Sequence, residues 1–504
     1  MTPTLADALR DAAWATPARV LVRDDENTLN CAGLLDQATA LAYALVRRIP
    51  AGSVVSFVLP NWREAVVIYL GARLAGMVVN PILPSLRDHE LAFILADADS
   101  RMVFIPQVFA GYDYAAMLDR VAPELPAPPE VVVVRGASHT HTAFDDLLAE
   151  VAPGPLPEHR DGDAPRMILY TSGTTGRPKG VLHSESSLNS LITQLGRHWH
   201  IEAGDTFLVP SPIAHIGGSI YAFECPLLLG TQAVLMQRWN PDAAVALMLE
   251  HGCTHMAGAT PFLTGLLAAA EEAGTRLPDL KVFICGGASV PPSLIRNATE
   301  YFDRAVVTRV YGSTEVPVTT VGSFADIHRA ADTDGRPGIA DVTLVDGEIR
   351  VRGPQMFLGY LHPEDSRDSF DEVGYFRTGD LGRFTDDGYL VVTGRAKDII
   401  IRNGENISPK EVEDILAAHP QIAEIAIVGI PDPRTGERAC AAIVAAGRSG
   451  PDVVTLREYL AQRGVAKFKA PEDVVLLQAL PKNDAGKVLK HKIKAMLTEG
   501  QTCR

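Results

Sequence analysis

The segment from Tyr170 to Gly180 has the composition of a loop that grips a polyphosphate. It reads YTSGTTGRPKG and follows the apolar run Met167–Leu169. Glycines let backbone N–H groups approach an anion, hydroxyls add donors, and a lysine adds positive charge. Pro178 rules out a Walker A pattern, and GxGxxG is also absent. We predict that the phosphate-binding residues are Thr171, Ser172, Gly173, Thr174, Thr175 and Lys179.

A second segment, YGSTE at 311–315, combines an aromatic ring, a hydroxyl and a carboxylate within five residues. Tyr311 can stack on a purine, and Thr314 can donate to a phosphate oxygen. Glu315 offers the oxygen ligand that Mg²⁺ prefers. Asp380, after a glycine in RTGD at 377–380, can accept hydrogen bonds from ribose hydroxyls. Taken alone, however, YGSTE is also typical of a polar strand end, and Asp380 of an ordinary turn.

Three further segments carry glycine or lysine at turn-like positions: GGA at 286–288, GRAKD at 394–398 and PKNDAGK at 481–487. Taken alone, the first is a glycine-rich turn and the other two are exposed basic loops. TSGTTGRPKG, YGSTE, RTGD, GRAKD and PKNDAGK, however, occur in the order found in the adenylate-forming superfamily of acyl-CoA synthetases, adenylation domains and luciferases. The chain resembles that superfamily over nearly its whole length.

The resemblance implies a role for each matching residue. Lys487, Thr314 and Glu315 would be catalytic, and Glu315 and Thr171 would hold Mg²⁺. Lys397 would be the hinge about which a C-terminal domain swings. The ATP or AMP site would add Gly286, Gly287, Ala288, Tyr311, Gly312, Asp380 and Arg395 to the phosphate loop. The acyl pocket would be lined by His215, Ile216, Gly258, Val316 and Pro317, and the CoA tunnel by Gly404, Glu405 and Asn406.

The elements that carry these residues alternate between strand-like and helix-like patterns. Val54–Leu59 and Met77–Ile82 are short apolar runs, and Glu64–Leu74 between them has helical spacing. This βαβ alternation predicts an α/β fold with a mostly parallel sheet. The superfamily adds a β-barrel-like part and a small mobile α+β domain. Ser408, Pro409 and Glu411 predict a helix start, with the helix running to about His419.

Charge changes along the chain near residue 394. Nine of the eleven lysines lie from Lys397 onward, and residues 396–504 carry 16 Lys and Arg against 14 Asp and Glu. The net charge of residues 396–504 is therefore +2. Since the whole chain has a net charge of −15, the remainder has a net charge of −17. We predict an N-terminal domain at 1–394, holding the ATP and acyl sites, and a C-terminal domain at 395–504.

Composition excludes several other classes of protein. The net charge of −15 disfavours nucleic acid as a partner. The six cysteines form no CxxC pair, and no apolar run is long enough for a membrane span. No HExxH zinc motif is present. We expect a cytoplasmic enzyme, either a monomer or a homodimer.

The implied reaction joins a carboxylic acid to AMP and then to CoA, with ATP, Mg²⁺ and CoA as cofactors. The expected pocket walls are small and apolar, and only Glu224, at an unknown depth, could meet an amino group. An apolar monocarboxylic acid is therefore favoured. GVLHS, PIAHIGG and RVYGSTE are most similar to cyclohexanecarboxylate–CoA ligases and medium-chain acyl-CoA synthetases. Aromatic, branched-chain and ring-degradation acids remain open.

Two other activities remain as alternatives. A stand-alone adenylating enzyme would load the acyl group onto a separate acyl carrier protein. A luciferase-like oxidoreductase would use O₂ on the adenylate. A binding protein without catalysis is disfavoured, because Lys487, Glu315 and Asp380 are all present.

Overall fold

A computed structural model of the protein describes residues 4–25, 27–136, 140–150, 153–157, 162–172, 177–287, 290–483 and 486–498. The helices are α1 Leu5–Ala15, α2 Cys31–Arg48, α3 Arg63–Leu74, α4 Asp88–Asp97, α5 Tyr114–Val121, α6 Phe144–Ala149, α7 Glu185–His198, α8 Ile216–Ser219, α9 Cys225–Leu228, α10 Pro241–His251, α11 Thr260–Glu272, α12 Pro292–Tyr301, α13 Ile327–Asp332, α14 Pro363–Ser366, α15 Pro409–Leu416, α16 Val453–Ala461 and α17 Lys490–Thr498. The strands are β1 Val20–Asp24, β2 Asn27–Asn30, β3 Val54–Phe57, β4 Val78–Pro81, β5 Ser100–Pro106, β6 Val108–Phe109, β7 Tyr112–Asp113, β8 Glu130–Val134, β9 Thr142–Ala143, β10 Pro165–Ser172, β11 Pro178–Ser184, β12 Thr206–Val209, β13 Gln232–Leu235, β14 His255–Gly258, β15 Val282–Gly286, β16 Val306–Val310, β17 Thr320–Val321, β18 Arg336–Pro337, β19 Asp341–Val345, β20 Glu348–Arg352, β21 Gly359–Tyr360, β22 Phe376–Phe384, β23 Leu390–Arg395, β24 Ile400–Arg402, β25 Glu405–Ile407, β26 Ile422–Asp432, β27 Gly436–Ala445 and β28 Asp473–Leu476.

Two large sheets form the first part of the chain. Sheet A has the order β16-β15-β14-β12-β13-β1-β2 and is parallel except for β2. Sheet B has the order β21-β11-β10-β4-β3-β5-β8-β9, and the hairpin β10–β11 and its neighbour β21 are its antiparallel members. The α/β class with a mostly parallel sheet is therefore confirmed.

The main hydrophobic core lies between these sheets. It combines side chains of sheet A, such as Phe207, and of sheet B, such as Phe57, with helices α1, α2, α3 and α7. A second cluster covers the other face of sheet A with α10, α11 and α12. A third covers the other face of sheet B with α4 and α5. Both faces of each sheet are thus buried, as parallel sheets require.

The later part of the chain forms two smaller sheets. Sheet C is antiparallel and has the order β19-β20-β22-β23. The Asp386–Gly388 turn joins β22 and β23. A short turn, Ala396–Asp398, leads from sheet C to sheet D. Sheet D has the order β25-β24-β27-β26, with β28 beside β27, and it packs against α15, α16 and α17.

Helix α15 illustrates how local sequence sets an element. Ser408 accepts a hydrogen bond from the Glu411 backbone N–H, and Pro409 is the first helical residue. The helix ends at Leu416, three residues before the predicted end at His419. Pro420 explains the difference, because a residue that precedes proline is disfavoured in the helical conformation.

Among the described residues, none of the helices combines the length and the apolar character that a membrane crossing needs.

Candidate active site

The nucleotide-site residues collect at one edge of sheet A. Gly286 ends β15, Tyr311 follows β16, and Gly258 ends β14. Gly258 lies opposite Cys285, and Gly286 opposite Val310, so these strand ends are level. Carboxyl ends of parallel strands are where open α/β sheets bind ligands. The predicted residues Gly258, Gly286, Gly287 and Tyr311 therefore lie together at this edge of the sheet, the candidate cleft.

Asp380 joins this cleft from sheet C. Its Oδ2 accepts a hydrogen bond from the Tyr311 hydroxyl at 2.8 Å, and its Oδ1 accepts one from Arg395 Nε at 2.7 Å. Burial and the charge of Asp380 raise the pKa of Tyr311 well above its usual value, so the phenol stays a donor. A carboxylate has about four acceptor sites, so Asp380 retains capacity for ribose hydroxyls.

We expect Asp380→Ala to weaken AMP binding by roughly 10- to 100-fold, the range for hydrogen bonds to a charged group. The change removes the ribose acceptor and leaves Arg395 without this partner. Calorimetric titration with AMP measures the effect. Asp341→Ala is a matched control, since exposed Asp341 also contacts a tyrosine and an arginine, Tyr375 and Arg352, outside the cleft. An equal loss of affinity in both variants would contradict the assignment.

Thr314 and Glu315 are fixed by long-range contacts. The Thr314 carbonyl oxygen lies 2.7 Å from His183 Nε2, and the Glu315 carbonyl oxygen accepts from the Phe357 N–H at 2.8 Å. Burial lowers the pKa of His183 to about 4, so its imidazole is neutral at ordinary pH. Glu315 Oε1 accepts from the Tyr360 hydroxyl at 2.8 Å. The loop therefore presents its carboxylate in a defined position.

The site suits Mg²⁺ that arrives with a nucleotide. Among the residues the structure describes, no group of three or more His, Cys, Asp and Glu could hold a metal ion alone. Glu315 is a single carboxylate beside the phosphate-binding segment. Mg²⁺ usually takes one or two carboxylates together with substrate phosphates, so this donor set fits.

The phosphate loop connects the two strands of a hairpin. Thr171 on β10 lies opposite Lys179 on β11, and the backbone of Ser172 lies opposite Pro178. Lys179 Nζ is 3.4 Å from Asp365 and 5.0 Å from the centre of the Tyr360 ring. The predicted residues Gly173, Thr174 and Thr175 lie outside the described residues, as does Ala288.

Glycine is required at positions 286 and 312, where the backbone closely approaches another stretch of backbone. A Cβ on Gly286 would lie 2.6 Å from the Val310 carbonyl oxygen, and one on Gly312 would lie 2.6 Å from the Val318 nitrogen. Gly287 has a φ of +80°, and the space beside it is open. The glycines thus keep backbone close to backbone at the edge of the cleft.

Lys487 reaches the same cleft from the C-terminal part of the chain. The preceding residue, Gly486, packs against Pro261 on α11. The Lys487 side chain is exposed. Partial burial of its ammonium group and the positive charge of Arg395 lower the pKa of Lys487. Lys487 thus lies within electrostatic reach of Arg395 and Asp380, although both are distant from it in the sequence.

The predicted acyl-pocket residues do not all face the same space. His215 and Ile216 follow β12 at the start of α8 and are half-buried, as is Gly258. Pro317 is buried, and Val316, 1% exposed, packs into the core of sheet C with Ile349 and Phe357.

Glu224, considered in the sequence as a partner for an amino group, is 1% exposed. It ends a π-helical turn, Ile220–Glu224, and is ion-paired with fully buried Arg166. It also accepts a hydrogen bond from the Tyr69 hydroxyl at 2.7 Å. These contacts occupy Glu224 inside the core.

The predicted hinge and tunnel residues lie on the surface of the C-terminal part. Lys397 is in the turn Ala396–Asp398, and its side chain is exposed. Gly404 lies in the turn of the β24–β25 hairpin, and Glu405 and Asn406 begin β25. All three residues are exposed. The arrangement thus places Lys487 in the cleft and the hairpin tip in solvent.

Three residues at the site were not predicted: His183, Tyr360 and Asp365. They contact Thr314, Glu315 and Lys179 respectively. His183 stands in the GVLHS segment, but its spacing alone gives no signal for a partner 131 residues away. Only the pairing of β11 with β21 brings Tyr360 and Asp365 to the phosphate loop.

The candidate cleft lies at the carboxyl edge of a parallel sheet, and a lysine from a second part of the chain approaches it. This arrangement is typical of nucleotide-binding enzymes. A family model for AMP-binding enzymes matches residues 9–361, and one for the AMP-binding enzyme C-terminal domain matches residues 411–487. The chain belongs to the AMP-binding enzyme family, and the predicted membership of the adenylate-forming superfamily is confirmed.

Similar proteins cover nearly the whole chain. The medium-chain fatty-acid–CoA ligase of Escherichia coli (strain K12) is 33% identical over 516 residues, 97% of this chain and 90% of that protein. Sulfoacetate–CoA ligase of Cupriavidus necator is 31% identical over 505 residues, 96% of each chain.

The fold matches MatB from Rhodopseudomonas palustris in two states. The ATP-bound crystal structure gives a TM-score of 0.88 at 28% identity and covers 99% of both chains. The apo crystal structure, at 27% identity and 99% of both chains, gives 0.77. The arrangement of this chain is thus closer to the ATP-bound form than to the apo form.

Proposed function

We propose that the protein is an AMP-forming acyl-CoA synthetase that activates an apolar monocarboxylic acid of the alicyclic or medium-chain type. It uses ATP and CoA as substrates and Mg²⁺ as the metal ion. The observation that supports the proposal is that Gly486, the residue before Lys487, lies beside Pro261 of α11, while Lys487 is within electrostatic reach of Arg395 and Asp380. A motif of the C-terminal part thus approaches motifs of the N-terminal part.

The first step forms an acyl-adenylate. A carboxylate oxygen attacks the α-phosphorus of ATP, and the bond to the bridging oxygen breaks, so that pyrophosphate leaves with the electron pair. Binding both reactants in line can provide an effective molarity of about 10⁵ M or more. Lys487 would contact the carboxylate and the α-phosphate, while the loop from Thr171 to Lys179 would bind the leaving phosphates. Mg²⁺ on Glu315 would supply further positive charge.

Asp380 and Tyr311 would hold the nucleoside during this step. Asp380 would accept the ribose hydroxyls, Arg395 would lie near the ribose and α-phosphate, and Tyr311 would stack on adenine. The segments at Gly286 and Gly312 would form the adenine side of the cleft. No side-chain nucleophile takes part.

The second step transfers the acyl group to a thiol. The sulfur of CoA attacks the acyl carbon, and AMP leaves. We propose that residues 1–394 and 395–504 act as two domains and that the second turns at Lys397 after adenylation. The turn would replace Lys487 by the hairpin at Gly404, Glu405 and Asn406, which would line the route of the thiol.

The charges near the pocket support an apolar acid. The described pocket residues His215, Ile216 and Gly258 include no lysine or arginine that would pair with a second carboxylate. Glu224 is ion-paired with Arg166 in the core and is not available to an amino group. Uncharged acyl groups are therefore favoured.

A substrate panel tests this proposal. Pure protein is incubated with Mg·ATP, CoA and cyclohexanecarboxylate, medium-chain, aromatic, branched-chain and dicarboxylic acids, and products are identified by mass spectrometry. We expect acyl-CoA and AMP, with an alicyclic or medium-chain acid preferred. Preference for a dicarboxylic acid would contradict the pocket assignment. Acyl-AMP that accumulates with CoA but is consumed by an acyl carrier protein would move the acceptor to that protein.

A further inference from the structure

The segment formed by β21 and α14, residues 359–366, lies directly beside the phosphate-loop hairpin. Tyr360 pairs with Val181 on β11, and the Leu361 N–H donates to the Gly180 carbonyl oxygen at 2.7 Å. Because Gly180 follows Lys179, the strand pairing fixes this segment next to the loop lysine. None of the sequence motifs at the site includes it.

Tyr360 contacts two site residues of opposite charge. Its hydroxyl donates to Glu315 Oε1 at 2.8 Å, and its ring centre is 5.0 Å from Lys179 Nζ. An ammonium group over an aromatic face is attracted to the ring electrons. The ring itself packs edge-on against Phe357, with centres 5.1 Å apart. One rigid side chain therefore stands between the proposed metal ligand and the phosphate-loop lysine.

A second residue of the same segment also contacts the loop lysine, since Asp365 Oδ1 lies 3.4 Å from Lys179 Nζ. Glu315 and Lys179 would otherwise attract each other, and a direct ion pair would occupy the metal ligand and the phosphate-binding cation together.

We propose that Tyr360 is a positioning residue that keeps Glu315 and Lys179 apart and orients each toward Mg·ATP. Its hydroxyl occupies Oε1 of Glu315 and leaves Oε2 for the metal ion. Its ring supports the Lys179 ammonium group toward the phosphates. This role for Tyr360 rests on one part of the proposed function, the binding of Mg·ATP at this site.

The first test measures metal binding directly. Mn²⁺ binding to the full-length protein is followed by electron paramagnetic resonance in the presence of α,β-methylene-ATP, which is not cleaved. We expect Tyr360→Phe to raise the dissociation constant of Mn²⁺ by about tenfold, because Glu315 is no longer held in the orientation that binds the metal ion. Affinity for AMP without metal stays unchanged, since AMP does not use Glu315 or the terminal phosphates.

Tyr375→Phe is the matched control. Tyr375 also donates its hydroxyl to a carboxylate, that of Asp341, but on the exposed side of sheet C. We expect this variant to bind Mn²⁺ as the parent protein does. Unchanged Mn²⁺ binding in Tyr360→Phe would overturn the proposal, and so would an equal loss of AMP affinity, which would indicate general damage to the fold.

A second measurement tests the ring and remains valid if Tyr360→Phe is unstable. Lys179 is labelled with an amine-reactive ester, and the labelled fraction is read by mass spectrometry over time. Tyr360→Leu removes the aromatic face and should speed labelling of Lys179, whereas Tyr360→Phe should not. Equal labelling in the parent protein and Tyr360→Leu would overturn the role of the ring. Neither measurement needs a carboxylic acid, so failure of the substrate panel would leave both results interpretable.

Discussion

Lys487→Ala should lower the rate of acyl-adenylate formation by at least about 10²–10³, while conversion of supplied acyl-AMP to acyl-CoA stays nearly unchanged. The ammonium group lies near Asp380 and Arg395 in the present arrangement and would offset charge that develops at the α-phosphorus. In the second step no phosphorus is attacked, so that charge does not develop. The lysine therefore serves one half-reaction only.

The two half-reactions are measured separately. Exchange of labelled pyrophosphate into ATP reports adenylation, and release of AMP from chemically prepared acyl-AMP and CoA reports thioester formation. Lys492→Ala is the control, because Lys492 is an exposed lysine on the neighbouring helix α17. Equal losses in both half-reactions of Lys487→Ala would contradict the assignment.

The same lysine predicts a pH dependence for adenylation. Partial burial of the ammonium group and the charge of Arg395 lower the pKa of Lys487, so the protonated form is lost as pH rises through that lowered value. We expect kcat/KM for adenylation to decline at a pH below the usual pKa of lysine. Because kcat/KM reports the free enzyme, a pH profile of pyrophosphate exchange checks this. The residual activity of Lys487→Ala should lack that decline.

Local pattern was sufficient to propose residues for a nucleotide site. The phosphate loop, YGSTE and RTGD each place their functional groups within a few residues, so composition and spacing indicate the chemistry. The βαβ alternation likewise predicted the α/β class. The order of the strands could not be predicted. Strand β12 lies between β14 and β13 in sheet A, and hydrophobic periodicity does not indicate which strands are neighbours in a sheet.

Supporting residues could not be predicted for the same reason. Tyr360 meets Glu315 across 45 residues, and His362 meets Asp97 across 265. The burial of Glu224 also depends on Arg166, which lies on strand β10 and is distant in the sequence. Val316 stands one residue after the motif, yet its side chain points into the core of sheet C. In each of these cases the contacts join residues that are far apart in the sequence, so residue type and local spacing could not predict them.

A disulfide between positions 261 and 486 should stop acyl-CoA formation while adenylation continues. A Cβ on Gly486 would lie 3.8 Å from the Cβ of Pro261, which is the usual separation in a disulfide. A Pro261→Cys, Gly486→Cys protein can therefore be oxidised in the present arrangement. The bond would hold Lys487 in the cleft and keep the hairpin at Gly404–Asn406 in solvent.

The oxidised protein should form about one acyl-AMP per enzyme and then release almost no acyl-CoA, because the proposed turn at Lys397 is blocked. Left-handed backbone at Gly486, with a φ of +77°, costs a cysteine there roughly 1–2 kcal/mol, so some loss of adenylation is expected in both redox states. Reduction of the same sample should restore acyl-CoA formation, and each single-cysteine variant should be insensitive to oxidant. Mass spectrometry without reductant confirms that CoA has not opened the bond. Steady acyl-CoA production by the intact cross-linked protein would show that both steps occur in one arrangement, and the turn at Lys397 would then be wrong.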